Sequence, residues 1–498
     1  MKIKTANGDR RSLAEDRLGV LAVLFFTLSA VAPLTVCAGV LPTTYAVTGM
    51  TGVPAAMIVV AVVLALFSVG YVAMARQIVN AGAFYSFVAH GLGRPMGVGA
   101  AFVAVAAYNA LQVALYSALG ASVAAYLTDR LGWHVAWWVC ALVAWVLTTI
   151  FGNLAIDLNG RLLAVLLVVE LATVAAIAVA GVAHPAGGHI AVQPLLPSSL
   201  AVAGSGALLV IAILAFTGFE QSAVFSEELR DPRRTVNVAT FASVGLIGVM
   251  YAGASWAMTV FYGVDGVRSA AVAQGPASFF RLGGETVASI AEVLFFTSLF
   301  AAMLSFHNAV ARYMFALGRE RVLPAAMGYV NPRTSAPQVA SIVQSVIGLV
   351  VIVGYAVSHL DPMVNLFFWL GTAGGFGVLI LLCATSADVI GFSLHKRNDF
   401  AYRSSGQHSA RHRGGPGAWA SLVAPSLALL ALLGLLWRAS IDYATILGVP
   451  PDSVVARAFP FSYLLVALAG FAWGVIIRYT RPLAYNSIGL GPMATALR

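Results

Sequence analysis

Apolar runs of about 20 residues or more, almost free of charge, recur along the whole chain. They begin with LGVLAVLFFTLSAVAPLTVCAGVLPTTYAV at Leu18 and VPAAMIVVAVVLALFSVGYVAMA at Val53. A helix needs roughly 20 apolar residues to cross the hydrocarbon core of a bilayer. Ten further runs begin near Val98, Leu131, Leu162, Leu200, Asn237, Thr286, Ala336, Pro362, Ala418 and Phe459. Of the 498 residues, 60% are hydrophobic and only 9% charged. A soluble domain carries about 45–50% and about 25%. The sequence therefore predicts an all-α polytopic membrane protein of about twelve transmembrane helices. The polar N-terminal segment and the long first run do not read as a cleaved signal peptide.

The net charge of +9 is distributed as a topology signal. With both termini cytoplasmic, only Arg130, Arg268, Arg281, Arg438 and Arg457 fall outside, leaving 23 of the 28 Lys and Arg within. That is the cytoplasmic excess expected of an inner or plasma membrane protein. The basic segment HKRNDFAYRSSGQHSARHRGGPG, from His395 to Gly417, reads as a solvated connection, not as a nucleic-acid site. Cys37, Cys140 and Cys383 are far apart inside apolar runs and suggest neither a disulfide framework nor a metal site. No cofactor is expected.

Two helices are interrupted. The first contains LSAVAPLT with Pro33, which lacks an N–H and clashes with the carbonyl one turn earlier. The sixth contains LAFTGFEQSAVF, where Thr217 and Gly218 permit unwinding and Glu220 follows two residues later. Unpaired backbone groups in hydrocarbon cost several kcal/mol, so a break survives only where protein, water or ligand satisfies it. A carboxylate near the bilayer centre costs about 2.5–3.5 kcal/mol on insertion scales, so Glu220 should be partnered, protonated or facing water. Paired broken helices at corresponding positions of two inverted halves point to a transporter's central site. The halves expected here are residues 18–183 and 201–388. Around them lie an N-terminal tail 1–17, an extracellular loop 184–200, a cytoplasmic connection 389–417, a final helix pair 418–478 and a C-terminal tail 479–498. Freed N–H groups at a half-helix N-terminus can cradle a carboxylate, and freed carbonyls can receive an ammonium. Together the two breaks would hold both ends of an α-amino acid without a charged side chain.

Three segments carry a family resemblance. AFTGFEQSAVFSEELRDPRRTV resembles the sixth-helix signature of amino acid permeases of the amino acid–polyamine–organocation superfamily. SLFAAMLSFHNAVARYMFALGRERVLP resembles that family's eighth helix, and NAGAFYSFVAHGLGRPMG the loop between its second and third helices. The resemblance implies a leucine-transporter-type fold: two inverted five-helix repeats, a midplane site between the first and sixth helices, and two added C-terminal helices. The family's Gly-Ser-Gly is absent from the first break, where this chain has Ala30-Val31-Ala32-Pro33. Leu214 stands at the family's aromatic gate position, which leaves Phe216 and Phe219 to close the site.

The expected substrate site comprises Ser29, Ala30, Val31, Ala32, Pro33, Asn109, Phe216, Thr217, Gly218 and Phe219. Glu220, Glu170 and His307 are candidates for gating or proton coupling, an imidazole titrating near neutrality, and Ser305 for an ion site; helix-to-helix hydrogen bonding is the commoner use of a histidine placed like His307. Glu170 and Glu292 serve equally as interior hydrogen-bonded groups. Asn109, Gln112 and Tyr116 either line a wall or hold helices together. Gly371, Gly374, Gly375 and Gly377 suggest close packing or a hinge, not catalysis. Glu227, Glu228, Asp231, Arg230, Arg233 and Arg234 form a charge cluster that reads as solvated salt bridges or as a gate, and Arg312 as snorkelling or pairing with a cytoplasmic acid. The expected partners are a small-molecule amino acid or amine, a coupling ion and the lipid bilayer. No phosphate-binding loop appears, so the reading is a secondary permease working by proton-coupled symport or exchange. Its alternative within the same fold carries polyamines or organic cations. A membrane enzyme or a channel lacks support: the lysines are Lys2, Lys4 and Lys396, none of them in an apolar run, and no filter-like repeat occurs.

Overall fold

The computed structural model describes residue 13 and residues 16–154, 156–202, 204–404 and 417–495. The tail before residue 13 and residues 405–416 of the basic connection lie outside the described residues. So do the side chains of Arg161, Lys396, Arg397 and Arg403 and residue Arg498, which the charge count used. Among the described residues the secondary structure is helical, apart from one bridge between Leu18 and Leu229.

Among the described residues, eleven helices are long and apolar enough to span a bilayer. A twelfth, Trp137–Gly152, is apolar but only 16 residues long, about 24 Å at 1.5 Å per residue. It stands where the fourth of the twelve crossings is expected, begun six residues later than the apolar run at Leu131. Its last residue packs closely on the eighth helix: a Cβ on Gly152 would lie 2.4 Å from the His307 ring. The third helix is correspondingly long, Arg94–Leu131. The tenth also runs past its expected end, since Trp369–Ser404 carries helix into the segment read as a connection from residue 389.

Both predicted interruptions are present. The first crossing is α-helical over Val20–Val31, stops at Ala32 (φ +51°, ψ +71°) and resumes at Pro33. Proline suits the first position of the second segment because its missing N–H would be unpaired there anyway. The sixth crossing is helical over Ser205–Ala215, turns through Gly218 (φ +118°) and continues as a 3-10 turn over Phe219–Ala223. The breaks touch: a Cβ on Gly218 would stand 2.9 Å from the Ala30 carbonyl carbon and the Val31 nitrogen. Only glycine satisfies both the positive φ and this approach.

The third helix packs against the eighth, tenth and twelfth, and the first against the fifth, seventh and eighth. The tenth-helix glycines set the contact distance. A Cβ on Gly374 would be 2.8 Å from the Ala107 carbonyl, and one on Gly375 2.8 Å from Leu214.

Candidate functional site

At the first break every donor of the resumed helix has a partner. The Leu34 N–H donates to Glu170 Oε1 at 2.6 Å, and Ser298 Oγ donates to the same oxygen at 2.8 Å. The Thr35 N–H donates to Ser298 Oγ at 3.3 Å, and the Thr35 hydroxyl lies 2.9 Å from that oxygen. Glu170, 1% exposed, thus caps the half-helix from the fifth crossing, the favourable end of the dipole for an anion. At the sixth break Glu220, also 1% exposed, caps its own chain. Its Oε2 accepts from the Gly218 N–H at 2.9 Å, its Oε1 from the Tyr108 hydroxyl at 2.6 Å, and its carbonyl from the Tyr71 hydroxyl at 2.5 Å.

Between the breaks lies a cavity of about 140 Å³. Its walls include Ala30, Val31 and Ala32 from the first break, Leu214, Ala215 and Thr217 from the sixth, and Leu111, Ala114 and Leu115 from the third helix. Phe306, Phe367 and Thr372 complete much of the rest. No ionisable side chain is among the lining residues.

Several expected site residues sit elsewhere. Asn109 does not line the cavity; its amide donates to the Val105 carbonyl of its own helix at 2.8 Å. Phe216 packs edge-on against Tyr251 and Phe219 edge-on against Phe67, so neither closes the cavity, whereas Leu214 lines it. Ser29 and Pro33 are buried beside the break without reaching the cavity. Gly218 acts through backbone geometry. His307 bridges helices: its Nδ1 is 3.1 Å from the Gln112 amide nitrogen, and its Nε2 is 2.8 Å from Ser341 Oγ. With Gln112 donating to Nδ1, the neutral ring donates from Nε2. Gln112 also accepts from Gln344 and donates to the Tyr116 hydroxyl at 3.2 Å. Ser305 donates to the Phe26 carbonyl of the first helix at 3.4 Å. Glu292 pairs with Arg130 at 3.2 Å where both are partly exposed.

The charge cluster ending the sixth helix divides: Arg230, Asp231, Arg233 and Arg234 are exposed, as a solvated cluster would be, whereas the Glu227 and Glu228 side chains are buried in ion pairs. Arg312 forks onto Glu228, Nε to Oε2 at 2.8 Å and the second amine to Oε1 at 3.1 Å. Arg319 forks onto Glu227 at 2.7 and 2.6 Å. Glu227 also accepts from the Ala81 N–H in the loop after the second helix. The Glu228 carbonyl receives the N–H groups of Arg17 and Leu18 at 3.0 Å. Glu320 draws in the C-terminal segment, accepting from the N–H groups of Gly489 at 2.7 Å and Gly491 at 2.8 Å and from the Asn80 amide at 3.0 Å. Burial pushes the Glu320 carboxyl up from its ordinary range, and neighbouring Arg319, Tyr85 and the Gly489 and Gly491 N–H groups pull it back. On the face that carries both termini, the first, sixth and eighth helices are therefore latched together.

A family model described as "Amino acid permease" matches residues 18–480. An uncharacterized transporter of Mycobacterium bovis is 27% identical over 238 residues, which are 48% of this chain and 50% of that protein. The low-affinity putrescine importer of Escherichia coli K12 is 26% identical over 143 residues, 28% of this chain and 32% of its own. The branched-chain amino acid permease of Lactococcus lactis subsp. cremoris is 25% identical over 178 residues, 35% and 38% respectively. The chain thus spans half or less of the length of these relatives. Among solved structures, a mutant manganese transporter of Eremococcus coleocola aligns with TM-score 0.57 at 15% identity, covering 93% of this chain and 97% of that one. This likeness shows the fold alone. With the family model covering nearly the whole chain and both interruptions in place, the protein belongs to the amino acid permease family, within the amino acid–polyamine–organocation superfamily.

Proposed function

We propose that the chain is a secondary transporter that moves a small amino acid or amine across the plasma membrane by alternating access. The observation that carries this reading is the contact of the two helix breaks. Gly218 lies against Ala30 and Val31, and residues of both breaks line one cavity. A ligand there touches both breaks, so its binding energy can differ between arrangements of the two helices. That difference is what a conformational shift requires. The repeats 18–183 and 201–388 would rock against each other about this point.

The Glu228–Arg312 and Glu227–Arg319 pairs close the face carrying the termini, which the charge asymmetry assigns to the cytoplasm. Opening that face requires both forks to part. Glu220 joins the third helix to the sixth break through Tyr108 and Gly218. It is the carboxylate placed to couple protonation or gating to the break, with Glu170 in the same position at the first. Transport then proceeds by proton-coupled symport or by exchange. The activities for which two relatives are named, putrescine import and branched-chain amino acid transport, support both cargo chemistries.

The test is uptake of a labelled panel of amino acids and amines into proteoliposomes, with the proton gradient, the sodium gradient and internal cargo supplied in turn. Saturable uptake driven by a proton gradient or by internal cargo is expected. Absence of saturable uptake or counterflow for every panel member overturns the assignment.

A further inference from the structure

We propose that Glu170 determines the class of cargo: by filling the anion cradle of the broken first helix, it fits the cavity to a compact apolar amine without a carboxylate. The proposal rests on the transporter reading above and narrows it.

A carboxylate in a site of this kind needs free N–H groups or a basic side chain. At the first break none remains. Pro33 has no N–H, Leu34 gives its N–H to Glu170, Thr35 to Ser298 and Val36 to the Ala32 carbonyl. At the sixth break Gly218 donates to Glu220, Phe219 to the Phe216 carbonyl and Gln221 to the Gly218 carbonyl. No Lys, Arg or His is on the cavity wall. The nearest basic group of the latch, Arg312, is committed to Glu228 and to the Asn308 carbonyl.

The acceptors are in the opposite condition. Among the described residues the carbonyls of Ala30, Ala215 and Thr217 receive no hydrogen bond, and all three residues line the cavity. Ala30 and Ala215 lie in the last turns of the helical segments Val20–Val31 and Ser205–Ala215, where the helix dipole is negative and favours a cation. An ammonium has three donors to offer them. Leu111, Leu115, Leu214 and Phe306 give the body of the cargo an apolar surround. At about 140 Å³ the cavity is close to the ~150 Å³ apolar cavity that takes up benzene, which suits a single small side chain. A carboxylate on the same body would find no free backbone N–H and no basic side chain, only threonine hydroxyls such as that of Thr217, with two resident carboxylates behind the walls.

Leucine and isoamylamine share the branched body and the amine and differ only in the carboxylate. Their binding to the purified full-length protein by isothermal titration calorimetry tests the proposal directly. Wild type is expected to bind isoamylamine at least about tenfold more tightly than leucine, the ratio set by one charged group left without a backbone N–H or a basic partner. Glu170→Ala, which frees the Leu34 N–H, should shift the ratio toward leucine by about tenfold. Glu170→Gln keeps an acceptor on Leu34 and should retain the preference for the amine. Leucine binding as tight as isoamylamine in wild type, or no binding of isoamylamine, overturns the proposal whether or not the variants fold. Amine binding without uptake into proteoliposomes would count against the transporter reading and leave the cargo class standing.

Discussion

Glu228→Gln removes one partner from a fork whose side chains are 3% and 1% exposed. Breaking a buried ion pair on one side costs about 3–5 kcal/mol, because the remaining charge is left in low dielectric. Arg312 keeps the Asn308 carbonyl at 3.0 Å and the face of Phe225 at 4.8 Å, so the lower end, about 3 kcal/mol, applies. The cost falls only on the latched arrangement, since parting the helices returns the guanidinium to water. The equilibrium should therefore move toward the arrangement open on the terminal face by about a hundredfold. A single cysteine replacing Ala30 on the cavity wall, with Cys37, Cys140 and Cys383 replaced, reports this. Its modification by an impermeant thiol reagent applied from that face should accelerate by about that factor. Charge reversal at both positions, Glu228→Arg with Arg312→Glu, should restore much of the protection. Unchanged labelling in a folded Glu228→Gln protein would refute the latch.

Two further substitutions address the breaks. Gly218→Ala adds a Cβ 2.9 Å from first-helix backbone at φ +118°, a strain of about 1–3 kcal/mol. It should abolish most transport while the purified protein stays folded, whereas Gly245→Ala, with nothing within 4 Å, should be silent in the same uptake assay. Tyr108→Phe withdraws one of the two donors to Glu220, a loss of about 1.5–3 kcal/mol from the charged form. The pH profile of uptake should then move to higher pH with substrate binding nearly unchanged, and an unmoved profile would remove Glu220 from coupling.

Sequence carried the helix breaks because their signals are local. Pro33 lacks a donor and Gly218 lacks a Cβ, and the structure interrupts its helices at Ala32 and Gly218. The partners of those breaks were not legible. Glu170 is 136 positions from Leu34 and Ser298 is 263 from Thr35, and no local pattern connects them. Azimuth around the third helix was misjudged for a related reason. Asn109 is polar and looked like a wall residue, but its neighbour Tyr108 is the one turned to Glu220, about 100° around a 3.6-residue helix. The cavity wall of Leu111, Ala114 and Leu115 has the same apolar i, i+3, i+4 pattern as a lipid-facing stripe. In a membrane chain that pattern does not separate site from surface. The charges from Glu227 to Arg234 fit a solvated cluster or a gate equally well in sequence, and nothing local separates Glu227 and Glu228 from their exposed neighbours. The arginine partners of those two glutamates, 84 and 92 positions further on, are what bury them.

The central claim is that cargo passes through the cavity where the two breaks meet. Leu214 lines that cavity and touches Gly375 of the tenth helix, so Leu214→Trp fills it without altering either carboxylate cap. Counterflow of labelled cargo into proteoliposomes, wild type against Leu214→Trp at equal amounts of folded protein, measures the claim directly. The account predicts saturable counterflow in wild type and its near-complete loss in the variant. Undiminished counterflow through Leu214→Trp would contradict it.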